Sequence, residues 1–285
     1  MNLRLQKRLG YGGSKHPLRR ARNTWIGRML ARRTGGGLVF LDDAELLACL
    51  CDRLGLEQAH TLDEYRAELL GDEPMRRAFE AARERYGLTA DADWDARVAR
   101  LGGIVTVYYA LMREVRPEVV VETGTAEGGY TSFVLAAMER NGRGRLISID
   151  IPPVDGKLTM DLTVAESDVG YFIPVEYRGR WEYRKGDAKV LLPHVLLEVD
   201  ADVFIHDSLH TRTHMLFEYA VARALMKEGK LILSDDIMWN EAFQGFLTAT
   251  GIEGFSPYGR PDTGVCINTF DDFERDAGLG VYRVD

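Results

Sequence analysis

The sequence of 285 residues predicts an α/β fold in which a doubly wound, mostly parallel sheet follows an N-terminal helical region. Two observations predict the sheet. From residue 117 onward, short apolar runs alternate with helical segments, and most of the runs are apolar throughout, as expected of strands covered on both faces. In addition, an acidic residue ends each of five successive runs, and the carboxyl ends of parallel strands share one ligand-binding edge.

We divide the chain into three predicted regions. Residues 1–37 form a basic arm, since residues 1–41 hold ten Lys or Arg and no Asp or Glu. The arm is interpreted as a mobile, solvated segment or subunit clasp, with an anionic partner as the alternative. Residues 38–116 form a helical cap, with helices at 41–55, 61–71, 72–87 and from about 92 or 97 to 116. Residues 117–285 form the sheet domain.

The elements of the sheet domain follow from apolar runs and their turn signals. The predicted strands are 118–122, 145–150, 181–187, 202–207, 230–236 and 264–270, and the predicted helices are 131–142, 189–199, 211–228 and 239–250. Residues 151–179 are irregular and long, which is typical of a functional segment. We expect this segment to bind a substrate or to cover a cofactor. Its aromatic side chains (Tyr171, Phe172, Tyr177 and nearby Trp181) offer stacking surfaces, and its acids (Asp161, Glu166, Asp168) offer hydrogen-bond acceptors.

Composition excludes several classes of protein. The net charge of −8 argues against a general nucleic-acid binder, and no apolar run is long enough for a membrane span. The N-terminus lacks the features of a signal peptide. Cys49, Cys51 and Cys266 have neither a disulfide pattern nor zinc-ligand spacing. The sequence therefore predicts a cytoplasmic protein with ordinary thiols.

The first strand–loop–helix, VVVETGTAEGGYTS at 119–132, predicts a ligand-binding turn. Its glycines Gly124, Gly128 and Gly129 allow the backbone to approach a ligand closely. The loop matches neither the dinucleotide glycine pattern nor the triphosphate loop, which requires a lysine. A carboxylate such as Glu122 disfavours a pyrophosphate and suits a cationic ligand group. We expect the five acids at the carboxyl ends of the strands to line an open cleft, because unpaired carboxylates are costly to bury.

The segment E-T-G-T-A-E-G-G resembles the first motif of class I S-adenosylmethionine-dependent methyltransferases, over roughly residues 118–270. The resemblance implies a Rossmann-like fold and S-adenosylmethionine as cofactor. It places Asp150 on the ribose hydroxyls and the acid of GDA at 186–188 on the adenine amino group. The cofactor-binding residues it implies are Glu122, Gly124, Thr125, Gly128, Tyr130, Thr131, Ser132, Asp150, Asp187 and Ala188.

Two further stretches, VFIHDSLH at 203–210 and LILSDDIMW at 231–239, leave neighbouring strands at the same edge. Asp207, Asp235 and Asp236 are predicted to converge there, and oxygen ligands suit Mg²⁺ or another divalent cation. The arrangement resembles metal-dependent O-methyltransferases. The better match is the branch that methylates macrolide sugars, which pairs D-x-x-H with two adjacent acids. This resemblance implies catalytic roles for Asp207 and His210, with His210 as general base.

Some features depart from this interpretation or leave it open. Asp236 stands where the catechol branch has asparagine, and that branch's lysine after the fourth strand is missing, so a catechol acceptor is disfavoured. Asp235 or Asp236 is also a candidate N-cap for the next helix. His206 is expected to support the strand, and His214 is a second candidate base or a partner of the site. His60 and His194 are expected to be ordinary surface residues.

The function predicted from the sequence is S-adenosylmethionine-dependent, metal-assisted O-methylation of a small hydroxylated molecule, favouring a sugar or polyol of a secondary metabolite. The nearest alternative is a metal-independent methyltransferase that acts on an amine or carboxylate. A non-catalytic binding protein and a nicotinamide-dependent oxidoreductase are the remaining alternatives. We expect a homo-oligomer with the arm as a clasp, and neither nucleic acid nor membrane as partner.

Overall fold

The computed structural model describes residues 43–86, 94, 98, 104–151, 166–237, 240–251 and 279–285. The basic arm at 1–37, Asp161 and the predicted strand at 264–270 lie outside the described residues. None of the described helices is both long and apolar enough to cross a membrane.

Four helices precede the sheet within the described residues. They are α1 (Asp43–Leu54), α2 (Leu62–Leu70), α3 (Glu73–Tyr86) and α4 (Ile104–Val115). The predicted capping box opens α2: Thr61 Oγ1 accepts a hydrogen bond from the Glu64 amide, and the Glu64 carboxylate accepts one from the Thr61 amide. Arg116 and Pro117 then end α4, as the proline predicted.

The strands form one sheet, and its fold is the predicted one. They are β1 (Val119–Thr123), β2 (Arg145–Asp150), β3 (Trp181–Lys185), β4 (Val203–His206), β5 (Leu231–Ser234) and β6 (Gly280–Arg283). In the described residues the order is β3-β2-β1-β4-β5-β6, with β1 to β5 parallel and β6 antiparallel to β5. The strand β6 is not predicted from the sequence, because it has four residues and its pairing with β5 is determined by tertiary contacts.

Helices cover both faces of this sheet. They are α5 (Gly129–Asn141), α6 (Ala188–Glu198), α7 (Arg212–Leu225) and α8 (Ala242–Ala249), with 3₁₀ turns at Glu166–Asp168 and Val175–Arg180. One apolar cluster packs α1 to α5 on one face, through residues such as Leu47, Phe79 and Phe133. A second cluster packs α6, α7 and α8 on the other face, through residues such as Leu192, Tyr219 and Phe246.

The strand order positions the ligand-binding crevice. The chain leaves β1 towards α5 on one face and leaves β4 towards α7 on the opposite face. Adjacent parallel strands whose connections diverge in this way leave an opening at their carboxyl ends. Glu122 and Asp207 come from these two strands, so both stand beside the opening.

Candidate active site

The turn after β1 lies directly against the exit of β4. Gly124 has a φ of 86°, and a Cβ atom there would stand 2.0 Å from the carbonyl oxygen of Asp207. Gly128 has a φ of 85°, and a Cβ atom there would stand 2.9 Å from the Ile173 side chain. Both positions therefore require glycine, because of the backbone conformation and because of the close approach.

Glu122 is fully buried, which contradicts the expectation that the acids of this edge face an open cleft. Its carboxylate accepts hydrogen bonds from Thr131 Oγ1 at 3.0 Å and from Ser148 Oγ at 2.6 Å. Ser148 in turn accepts a bond from Trp181 Nε1 at 2.9 Å. These hydroxyl groups replace water around the carboxylate, which explains how the chain tolerates its burial. Burial raises the pKa of Glu122 to about 7, against the lowering effect of the two hydroxyl groups.

Asp150 holds the glycine-rich turn in place. Its Oδ2 accepts hydrogen bonds from the amides of Thr125 (3.0 Å) and Ala126 (2.8 Å), and its Oδ1 accepts one from the Ile151 amide. Ala126 has a φ of 44°, unusual for a residue with a side chain. The buried Thr125 Oγ1 has no hydrogen-bond partner among the described residues. The Thr125 hydroxyl thus lacks a partner beside a glycine-rich turn that Asp150 holds in place. A polar cofactor bound at this turn would supply that partner.

The other residues assigned to the cofactor lie around this turn. Tyr130 and Thr131 begin α5, and the Ser132 hydroxyl donates to the Gly129 carbonyl of the same helix. Asp187 is the exposed N-cap of α6, accepting a bond from the Lys189 amide at 2.8 Å, and Ala188 is the first residue of that helix. The amide of Gly186 donates to the Asp150 carbonyl at 2.9 Å, so the β3 exit lies beside the β2 exit.

The described part of the predicted specificity segment packs on the protein itself. The amides of Gly170 and Phe172 donate to the carbonyls of Ala126 and Glu127, both at 2.9 Å, so this segment clamps the glycine turn. Several side chains expected to meet an acceptor have internal partners instead: Phe172 stacks on Phe79, Tyr177 donates to Asp72, Trp181 donates to Ser148, Asp168 pairs with Arg85, and Glu166 pairs with Lys185. Of the two expected roles, these contacts favour that of a cover.

The acids after β4 and β5 come together around His210. The Nε2 atom of His210 lies 3.9 Å from Asp207 Oδ1 and 3.8 Å from Asp236 Oδ2. Asp236 reaches this position with a φ of 50°. Burial, followed by the negative charges of Asp235 and Asp236, raises the pKa of Asp207 well above its usual range. Burial is also the main reason that the pKa of His210 falls to about 3, so its imidazole is neutral at pH 7.

These acids do not form a finished metal site. Within the parts of the chain that the structure describes, no three His, Cys, Asp or Glu side chains are placed so that they could hold a metal ion together. Carboxylate oxygens are the donors that a hard divalent cation prefers, and the three acids are in mutual electrostatic reach, but they are not arranged around a common point. The alternative role as a helix cap is not observed: α8 has Glu241 at its N-cap, and its first amide, that of Ala242, donates to Asn240 Oδ1.

A buried network lies behind His210, and its central residue was missed in the sequence. The Glu218 carboxylate, fully buried, lies 2.5 Å from His206 Nδ1 and 2.7 Å from His214 Nε2, and it accepts bonds from Thr123 Oγ1 (2.6 Å) and Ser208 Oγ (3.0 Å). His206 packs edge-on against His210, with ring centroids 5.2 Å apart.

The contacts of this network define the roles of the two neighbouring histidines. His206 supports the strand end, as expected, and His214 is engaged by Glu218 as a partner of the site. Burial raises the pKa of Glu218, but His206 and His214 outweigh it and hold the pKa far below its usual range. The four-residue spacing of His214 and Glu218 on one helix face is the sequence signal that could have identified this pair.

A family model described as a methyltransferase domain matches residues 121–237 of this chain. The matched segment starts one residue before Glu122 and ends one residue after Asp236, so it contains both halves of the edge described above. No curated protein sequence matches the chain.

Solved structures with a similar course of the chain include several methyltransferases. An O-methyltransferase from Bacillus cereus in complex with SAH is 14% identical, and the match covers 75% of this chain and 91% of that chain with a TM-score of 0.47. An O-methyltransferase from Streptomyces achromogenes involved in tomaymycin synthesis, in complex with SAM, is 18% identical over 75% and 91% of the two chains, with a TM-score of 0.44. A methyltransferase from Podospora anserina with bound SAH is 12% identical over 75% and 88%, with a TM-score of 0.45.

Proposed function

We propose that this protein, whose residues 121–237 match a family model described as a methyltransferase domain, is a class I methyltransferase that uses S-adenosylmethionine and transfers the methyl group to a hydroxyl oxygen of a small molecule. The observation that carries the proposal is the position of His210, whose neutral imidazole lies between Asp207 and Asp236 at the edge where the glycine turn ends. A neutral imidazole can accept a proton, and a hydroxyl acceptor has one to lose.

The residues after β1, β2 and β3 would hold the cofactor. Glu122 offers a carboxyl group whose pKa near 7 lets it ionise beside the positively charged amino group of the cofactor's methionine part. Thr125 offers its unsatisfied hydroxyl, and Asp150, which fixes the turn, is assigned to the ribose hydroxyls by the family resemblance. Asp187 and Ala188, beside Asp150, are assigned to the adenine. Close approach at Gly124 keeps this pocket against the β4 exit, and close approach at Gly128 keeps it against Ile173.

The residues after β4 and β5 would hold the acceptor and a divalent cation. When bound, S-adenosylmethionine supplies an activated methyl group, and a cation such as Mg²⁺ on Asp207, Asp235 and Asp236 would make the acceptor hydroxyl more acidic. His210 takes the hydroxyl proton at Nε2. A histidine with a pKa near 3 is a weak base, so this transfer depends on an acidified hydroxyl. The protein's remaining contribution is to hold donor and acceptor in line and exclude water.

A sugar or other polyol is the favoured acceptor. The support for this class is the sequence from Asp207 to His210, a D-x-x-H, together with the adjacent pair Asp235 and Asp236, which resembles the macrolide-sugar branch. Both elements end at the same edge in the structure. Neighbouring hydroxyl groups of a polyol could approach the carboxylates while one of them meets His210.

The test is transfer of a labelled methyl group from S-adenosylmethionine to four probes. Two carry hydroxyl groups, methyl β-D-glucopyranoside and catechol, and two do not, benzylamine and benzoate. Each assay is run after treatment with EDTA and again after addition of Mg²⁺. We expect a hydroxyl probe to be labelled, and we expect this labelling to depend on Mg²⁺. Label only on the amine or the carboxylate, unaffected by EDTA, would instead establish the metal-independent alternative.

A further inference from the structure

Tyr108, on α4, lies outside the matched methyltransferase segment, yet its side chain is within electrostatic reach of Asp207, Asp235 and Asp236. We propose that Tyr108 is an acceptor-binding residue whose hydroxyl donates a hydrogen bond to an oxygen atom of the bound acceptor. The inference deepens the proposed function and rests on it, because it places the cap helix α4 in the acceptor site.

The first support is the state of the Tyr108 hydroxyl. The side chain is 1% exposed, and its Oη atom has no hydrogen-bond partner among the described residues. A buried hydroxyl without a partner costs free energy, because it has lost its bonds to water. Tyrosine hydroxyl groups in protein interiors usually have a hydrogen-bond partner. A buried hydroxyl without one, at the edge of a ligand site, indicates that the bound ligand supplies the partner.

The second support is the location of the side chain. Its ring packs against that of Tyr130, the second residue of α5, with centroids 5.4 Å apart. Burial, followed by the charges of Asp235, Asp207, Asp236 and Glu122 in that order, raises the pKa of Tyr108 well above its ordinary value. The hydroxyl therefore lies within electrostatic reach of the three acids of the proposed acceptor end.

The same charges indicate the chemistry of the missing partner. The acids in electrostatic reach of this hydroxyl are those that would hold the acceptor, so an oxygen atom of the acceptor is the partner that binding would bring to it. An ammonium group has no lone pair to accept from a phenol. A neutral hydroxyl or ether oxygen accepts the bond without adding charge, and this is the oxygen that a sugar or polyol carries next to its methylated position.

The experiment compares Tyr108→Phe with wild type and with the matched control Tyr109→Phe. The control removes the neighbouring hydroxyl, which donates to Glu68 at 2.6 Å and takes no part in the site. Each protein is assayed with S-adenosylmethionine, Mg²⁺ and whichever of methyl β-D-glucopyranoside and catechol the wild type labels. The affinity for S-adenosylhomocysteine and the Tm of the ligand-free protein are measured in parallel.

Tyr108→Phe is expected to raise the KM of the hydroxyl probe about five- to tenfold, since one hydrogen bond is lost. The Kd of S-adenosylhomocysteine stays within about twofold, and the ligand-free Tm rises by ~2 °C because an unsatisfied buried hydroxyl is gone. Tyr109→Phe is expected to lower Tm and leave the KM unchanged. This pairing of higher stability with weaker acceptor binding is not expected of a merely structural tyrosine.

An unchanged KM in Tyr108→Phe would overturn the inference while leaving the proposed function intact. A parallel rise in the Kd of S-adenosylhomocysteine would overturn it as well, by assigning the hydroxyl to the cofactor. If the wild type labels neither hydroxyl probe, the proposed function fails first, and this inference fails with it. The three results are distinguishable because wild-type labelling is measured separately from the variants.

Discussion

The carbonyl oxygen of Asp207 lies so close to Gly124 that a Cβ atom at position 124 would be 2.0 Å from it. No residue with a side chain fits at this position. The turn that would bind the cofactor and the strand exit that would bind the acceptor are therefore in backbone contact. Neither side can shift without moving the other, because both partners of this contact are main chain. The contact gives the two halves of the site a fixed relative position.

The first prediction concerns Gly124→Ala. The substitution places a methyl group on backbone atoms and forces a residue with a side chain to a φ of 86°. We expect the affinity for S-adenosylhomocysteine, measured by calorimetry, to fall more than about tenfold, which corresponds to ~1.4 kcal/mol.

The control is Gly142→Ala at a φ of 66°, where nothing lies within 4 Å of the added atom. It should cost ~1–2 kcal/mol of stability and leave binding intact. Equal binding by both variants would contradict the role of the contact.

The second prediction concerns the pH dependence of stability through Glu122. Its folded pKa of about 7 lies above the ordinary value of 4.5, so the folded state binds this proton more tightly than the unfolded state. The stability that it contributes is complete below pH ~4.5 and is lost as the pH rises to about 7 and beyond. The loss is on the order of 3 kcal/mol, from 1.36 kcal/mol per pKa unit.

Denaturant unfolding of the ligand-free protein at pH 5 and pH 8 measures this effect. Glu122→Gln, which keeps the size of the side chain and cannot ionise, should reduce the difference between the two pH values. An identical difference in wild type and variant would show that Glu122 does not titrate in this range.

The third prediction concerns Glu218→Gln. The change removes a buried charge that two histidines and two hydroxyl groups contact. Breaking such a network typically costs ~3–5 kcal/mol, so the Tm should fall clearly. The control Glu198→Gln removes an exposed carboxylate that pairs with Arg184 on the surface, and its Tm should match wild type. A Glu218→Gln variant as stable as this control would contradict the structural role of the network.

The predictable part of the molecule was the part determined by local pattern. Apolar runs located β1 to β5 within one or two residues, and the acids after these strands lie at one edge of the sheet, because parallel strands bring their carboxyl ends together. The D-x-x-H spacing of Asp207 and His210 likewise predicted a shared site, and His210 Nε2 lies 3.9 Å from Asp207 Oδ1.

The rest depended on contacts between distant segments. Glu122 was expected at an open cleft and is buried, because hydroxyl groups from α5 and β2 surround it. Aromatic residues such as Tyr177 were expected to meet an acceptor or to cover the cofactor, and the Tyr177 hydroxyl donates to Asp72, between two cap helices. Tyr108 has no motif of its own in an apolar helix, so only its unsatisfied hydroxyl beside the acids distinguishes it.

The most direct test of the central claim is methyl transfer by His210→Ala, compared with His194→Ala, which changes an exposed histidine on α6. Labelled methyl transfer to the hydroxyl probe and the Kd of S-adenosylhomocysteine are measured for both variants. We predict that His210→Ala binds the cofactor like wild type and loses turnover by ~10²–10⁴-fold, the usual contribution of a general base. Turnover equal to that of His194→Ala would contradict proton transfer at His210, and with it the proposed assignment of this edge.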